Sequence, residues 1–186
     1  MEITWLGHAA FCLQGNGRTV YIDPVPMEYC GSRVRNVFAS LNPADVILLT
    51  HEHVDHCNPQ SIAPLRTPST VIIGPEACGQ KLKGAVQIIS PGEETRVGPI
   101  GVQAIHAYNI ARERVPGSPF HPKGTGVGYV VTLDKHTVYH TGDTEPIPEM
   151  QDIGPVDVML VPVDGHYTMP PDEAMQCAVT VRARTV

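Results

Sequence analysis

The chain has 186 residues, 42% hydrophobic and 17% charged, enough apolar content for one sizeable core and too much for a disordered, collagenous or coiled-coil protein. Thirteen Lys and Arg against nineteen Asp and Glu leave a net charge of −6, and without a basic stripe to neutralise a row of phosphates, nucleic-acid binding through bulk charge is disfavoured. The 17 Gly and 18 Pro argue against an all-helical bundle and suit short strands joined by many turns.

The first residues, Met1-Glu2-Ile3-Thr4, lack the basic and apolar blocks of a secretion signal. No apolar stretch reaches the roughly 18 residues of a membrane span, so a cytoplasmic chain is expected. Short β-branched runs bounded by Gly, Pro, Asn or Asp predict strands at Ile3–Leu6, Val20–Ile22, Val46–Leu49, Val71–Ile73 and Val86–Ile89. Further runs follow at Val102–Ile105, Val127–Leu133, Val138–Tyr139 and Val156–Val163. Phe11–Gln14 and Thr19–Ile22 flank Gly15-Asn16-Gly17, the spacing of a hairpin at an antiparallel sheet edge. Two segments carry helical punctuation: Pro75-Glu76 before Ala77–Leu82, and Pro170–Glu173 before Ala174–Val179. Tyr108–Lys123 has neither periodicity and reads as a long, functional loop. No repeat or linker divides the chain, which predicts one domain over 1–186. Cys12, Cys30, Cys57, Cys78 and Cys177 form no CxxC pair and read as reduced, mostly buried thiols, with Cys57 a packing residue rather than a nucleophile.

The chemistry concentrates in Thr50-His51-Glu52-His53-Val54-Asp55-His56, directly after the buried-strand pattern that ends at Leu49. His51 and His53 are two apart, so in an extended segment they project to one side, and a bend at Val54 turns Asp55 and His56 to a neighbouring point. Such a set at the open end of a strand can hold a pair of divalent ions. Further ligands stand at other strand ends: His106 after Val102–Ile105, and Asp143 in His140-Thr141-Gly142-Asp143-Thr144, where a carboxylate could bridge two ions. Asp23, in the turn Ile22-Asp23-Pro24, is the candidate for fixing an imidazole tautomer from behind, and His8 for facing the same cleft.

This pattern, His51-x-His53-x-Asp55-His56 with a later His106 and a Gly142-Asp143-Thr144 turn, resembles the metallo-β-lactamase superfamily. Thr4-Trp5-Leu6-Gly7-His8-Ala9, His121-Pro122-Lys123-Gly124 and Tyr167-Thr168-Met169-Pro170 are similar to its metal-dependent hydrolase branch, which includes ascorbate-6-phosphate lactonase and N-acylphosphatidylethanolamine phospholipase D relatives. The resemblance implies an α/β fold, the αβ/βα four-layer sandwich. It implies two divalent ions, zinc first, with manganese, iron and nickel as alternatives that these ligand types do not separate. One ion would take His51, His53 and His106, the other Asp55 and His56, with Asp143 bridging. The family pattern ends with a further histidine on a short strand after the last helix. Val186 falls about where that strand would begin, so a C-terminally truncated or shortened form is expected, with His166 lining the site rather than ligating.

The chemistry so implied is hydrolysis of a phosphoester, lactone or amide-type bond by a metal-bound hydroxide, with Asp55 orienting it and accepting its proton. Tyr108, His121, Lys123 and His166 are the candidate contacts to a small anionic or phosphorylated substrate. Two other classes stay open: an inactive metal-binding domain with an incomplete second site, and an iron-dependent redox protein of the same superfamily. A homo-oligomer that covers an exposed strand edge also stays open.

Overall fold

Asn16 and Gly17 both adopt left-handed backbone, at φ 50° and 68°, the pair of positive values that a two-residue hairpin turn requires. They set the register of β2 (Ala10–Gly15) against β3 (Arg18–Ile22), with Gly15 opposite Arg18 and Phe11 opposite Ile22. β1 (Glu2–Gly7) pairs antiparallel outside β2. In this computed structural model the described residues are 1–25 and 41–186, so Cys30 lies outside them. They form two compact units, Met1–Ile89 and Ser90–Val186.

In the first unit the sheet continues from β3 through β4 (Val46–Leu48), β5 (Val71–Gly74) and β6 (Gln87–Ile88), each added in parallel. Every residue of β4 is buried, as a parallel strand covered on both faces requires. α1 (Pro59–Ile62) starts where Gln60 N donates to the Asn58 side chain at 2.9 Å; its single turn has too little periodicity to be read from sequence. α2 (Glu76–Lys81) follows Pro75 as the sequence predicts, with Glu76 in its first turn and Lys81 in its last. Leu6, Ile47, Leu49, Ile62, Leu65 and Ile72 build the core, together with Cys57 and Cys78. Cys57 is fully buried, as a packing residue should be.

The second unit contains β7 (Glu94–Val97), β8 (Ile100–Ala107), the small hairpin β9 (Glu113–Val115) and β10 (Ser118–Pro119), then β11 (Gly126–Leu133), β12 (His136–His140) and β13 (Val158–Leu160). The main sheet runs β13-β12-β11-β8-β7, antiparallel except for the β12–β13 pair. Two of these features were not predicted. β7 is a charged edge strand, Glu-Thr-Arg-Val, without apolar alternation, and the β9–β10 hairpin lies inside the segment read as irregular. α3 (Pro171–Val181) buries Ala174, Cys177, Ala178 and Val181, the i, i+3, i+4, i+7 stripe of an amphipathic helix. They pack with Ile105, Tyr139, Met150, Met159 and Met169. Arg182, at φ 56°, ends the helix in the left-handed conformation, and Thr185 then bridges in parallel to Val158. The predicted strand over Val156–Val163 is a strand only at Val158–Leu160, since Pro162 cannot donate to a ladder.

Candidate metal centre

In the first unit β3 and β4 end side by side, with Asp23 N donating to Leu48 O at 2.9 Å. That register places Asp23 against Thr50, the first residue beyond the buried strand. Asp23 has φ 44°, a conformation that Asp tolerates better than most residues. Its carboxylate is fully buried and accepts three hydrogen bonds: from Thr50 N at 2.8 Å, Thr50 Oγ1 at 2.5 Å and His56 Nδ1 at 2.7 Å. The Thr50 hydroxyl has a single proton, and the carboxylate can only accept. Thr50 Oγ1 must therefore accept from His51 Nδ1, 2.9 Å away. Both rings thus carry their proton on Nδ1 and leave Nε2 on the side away from Asp23 and Thr50. The carboxylate at His56 and the hydroxyl at His51 orient them as partners behind metal-binding histidines do.

The loop beyond His51 is a tight turn, with His56 N and Cys57 N both bonded to His53 O at 3.1 and 2.8 Å. It brings the His56 ring to 4.0 Å from His51 and places His51 Nε2 3.0 Å from His53 Nδ1. Lys81 Nζ donates to Glu52 O at 2.6 Å and ties this loop to α2. Asp55 Oδ2 lies 3.1 Å from His8 Nε2 and 3.9 Å from His56 Nε2. The hydrogen bond from His8 holds the Asp55 carboxyl well below the usual carboxylate range against the opposing effect of burial, with His56 adding to the lowering. Asp55 is therefore an ionised acceptor at neutral pH and a weak base. His8, Asp55 and His56 each bring one ligand atom within 4.8 Å of the others. Imidazole and carboxylate donors of this kind suit zinc, iron, manganese and nickel, so the residues present fit a divalent cation.

In the second unit the organising residue is Glu145. It is buried and accepts from Ile110 N, Ala111 N and Arg112 N at 3.1, 2.9 and 2.6 Å, and from Asn109 Nδ2 at 3.1 Å. Burial opposes its ionisation, yet the backbone donors of Ala111 and Arg112 lead a set that leaves its pKa lowered. Asn109 Nδ2 also donates to Tyr167 O at 2.9 Å, which fixes the amide so that Oδ1 accepts from His121 N and His121 Nδ1, each at 2.8 Å. His121 Nε2 is then left facing Asp143 Oδ2 at 3.3 Å. Asp143 follows β12 after Gly142 at φ 64°. β11 closes on this turn at Gly128, where a Cβ would sit 2.5 Å from Thr141 O. His106 lies on β8, its ring 6.3 Å from that of Tyr108, and its Nδ1 is buried with no hydrogen-bond partner among the described residues.

Lys123, a candidate contact to an anionic substrate, pairs its ammonium with Glu149 Oε1 at 2.6 Å and approaches Tyr108 Oη at 3.3 Å. Lys123 holds Glu149 down to a pKa of about 2. The Tyr108 hydroxyl donates to the same carboxylate at 3.0 Å. His166 is exposed and packs its ring 4.5 Å from Tyr167 and 5.5 Å from Phe120. Thr50, Asn109 and Glu145 were missed as orienting residues, because their partners stand 27 and 36 positions away in sequence. The one local signal was Glu145 directly following the Gly-Asp-Thr turn.

The beta-lactamase superfamily domain matches residues 2–186. The chain is 36% identical over 200 residues to a UPF0173 metal-dependent hydrolase from Methanoculleus marisnigri, covering all of this chain and 79% of that protein. A second from Methanoregula boonei is 37% identical over 193 residues, covering all of this chain and 80% of that protein. The crystal structure of a candidate metal-dependent hydrolase from Parabacteroides distasonis superposes with a TM-score of 0.84 at 33% identity, over 96% of this chain and 76% of that one. Igni18, a metallo hydrolase from Ignicoccus hospitalis, follows at 0.74 and 25%, over 97% and 78%. With the histidine and aspartate centre, the mixed α/β sheets and these relatives together, the chain belongs to the metallo-β-lactamase superfamily and is a metal-dependent hydrolase.

Proposed function

We propose that this hydrolase uses two divalent cations, zinc first, to cleave a phosphoester, lactone or amide-type bond of a small anionic molecule, as in the branch that contains ascorbate-6-phosphate lactonase and N-acylphosphatidylethanolamine phospholipase D relatives. The observation that supports it best is the Asp23–Thr50 network, which holds the proton of His51 and His56 on Nδ1 and leaves both Nε2 atoms for a cation. Bound divalent ions lower the pKa of coordinated water toward about 7 and polarise the bond that breaks. In the first unit His51 and His53 would hold one ion and Asp55 and His56 the other, with Asp55 orienting the attacking water. In the second, the sequence resemblance assigns Asp143 and His106 as ligands. His121 stands beside Asp143 with its Nε2 directed at the carboxylate. Tyr108, Lys123 and His166 would line the substrate, Lys123 exchanging Glu149 for the anionic group.

The test is metal stoichiometry of the chain by plasma mass spectrometry after exchange into metal-free buffer. A screen of phosphodiester, phosphomonoester, lactone and amide substrates before and after chelation accompanies it. Two equivalents per chain, with hydrolysis lost on chelation and restored by zinc or manganese, is the expected result. One equivalent or fewer, or hydrolysis that survives chelation, overturns the reading.

A further inference from the structure

We propose that His8 is a direct protein ligand of the cation held by Asp55 and His56, so that the first unit by itself supplies three ligands to that ion. The inference rests on the metal reading above and adds a residue to it. His8 Nε2 is 3.1 Å and His56 Nε2 3.9 Å from the same oxygen, Asp55 Oδ2. A tetrahedral ion with bonds of about 2.0–2.2 Å spaces its ligand atoms about 3.4 Å apart, between those two distances. His56 has its other nitrogen taken by Asp23, so Nε2 is its ligating atom.

The backbone at His8 argues for a purpose beyond a surface turn. His8 sits at φ 50° directly after Gly7 at φ 101°, and the Trp5 indole donates to His8 O at 2.9 Å, holding that geometry. Left-handed backbone is uncommon outside glycine, although His adopts it more readily than most residues, and such positions gather where a side chain must be aimed. Here the conformation turns an imidazole from the exposed β1–β2 connection onto Asp55 instead of into water. An exposed ion pair contributes too little to explain this arrangement. The His8 and Asp55 side chains are 35% and 36% exposed, which leaves an open side for water or substrate, as catalytic metal sites keep.

Zinc and cobalt(II) titrations of the whole chain test the assignment, comparing wild type with His8→Asn, chosen because Asn tolerates left-handed backbone, and with His8→Cys. His8→Asn should lower the affinity for one ion by at least about 100-fold, at or beyond the upper end of the loss caused by removing a partner that only orients a ligand. His8→Cys with cobalt(II) should gain thiolate-to-metal charge-transfer absorption absent from wild type. The cobalt spectrum decides, including in the case where His8→Asn fails to fold. A wild-type-like spectrum for His8→Cys, or unchanged affinities for His8→Asn, overturns the role of His8 while the metal reading stands. A wild-type chain that takes up no ion overturns both.

Discussion

Replacing Asp23 by Asn preserves volume and changes only which atoms can accept. Thr50 N needs an acceptor at the Oδ1 position, 2.8 Å away, so the amide oxygen stays there and the NH2 group occupies the Oδ2 position. That position now faces Thr50 Oγ1 and His56 Nδ1, at 2.5 and 2.7 Å in the parent, and a donor there forces both partners to accept. His56 moves its proton to Nε2, and the displaced Thr50 hydroxyl proton turns to His51 Nδ1, which moves the His51 proton to Nε2 as well. One substitution thus inverts both rings that the parent presents to a cation. Loss of a single orienting partner costs about 10–100-fold in metal affinity, so Asp23→Asn should lose at least ~100-fold, about 2.7 kcal/mol. The metal-free fold should lose only about 1 kcal/mol, because a charge-assisted hydrogen bond gives way to neutral ones. A chromophoric-chelator competition reads the affinity, urea unfolding in metal-free buffer reads the stability, and 15N shifts of the imidazoles read the tautomers. A variant that binds zinc within about threefold of the parent, with both tautomers unchanged, refutes the argument.

Three other perturbations follow from the same geometry. Asp23→Ala leaves Thr50 N and His56 Nδ1 buried without an acceptor, so metal-free stability should fall by about 2–6 kcal/mol, far more than in the Asn variant; equal urea midpoints for the two would contradict this. Glu145 has a lowered folded pKa, so its ionised form adds stability that is complete above its unfolded pKa of about 4.3 and is lost as pH falls through the folded value. Glu145→Gln should accordingly lower stability at neutral pH and flatten the acid limb of a stability profile, and an unchanged profile would remove Glu145 as the anchor of residues 109–112. Gly128→Ala drives a Cβ to 2.5 Å from Thr141 O and should cost about 1–3 kcal/mol in denaturant unfolding, with backbone shifts centred on Thr141–Asp143; a change below about 0.5 kcal/mol would mean that β11 yields without moving that turn.

The strands next to the motif were legible because their signals are local. The buried run ending at Leu49 can only be an interior strand, and Gly15-Asn16-Gly17 supplies the positive φ values of its hairpin. The spacing His51-x-His53-x-Asp55-His56 was equally plain, since residue types and a bend are enough to announce metal chemistry. β7 escaped because an edge strand needs no apolar alternation, and α1 because one turn carries no period. Orienting partners were harder to read. Asp23 could be placed in a turn after a strand, but its bonds to Thr50 and His56 exist only because β3 and β4 end in parallel register. The same holds for Glu145, whose four donors come from residues 33–36 positions earlier in the chain, and for Lys123, whose charge is claimed by Glu149 26 residues away. A sequence fixes which atoms can donate, accept or ligate, because that follows from residue type and local backbone. Which nitrogen of each imidazole carries the proton, and which charge is already neutralised, depends on partners that only folding brings within 3 Å.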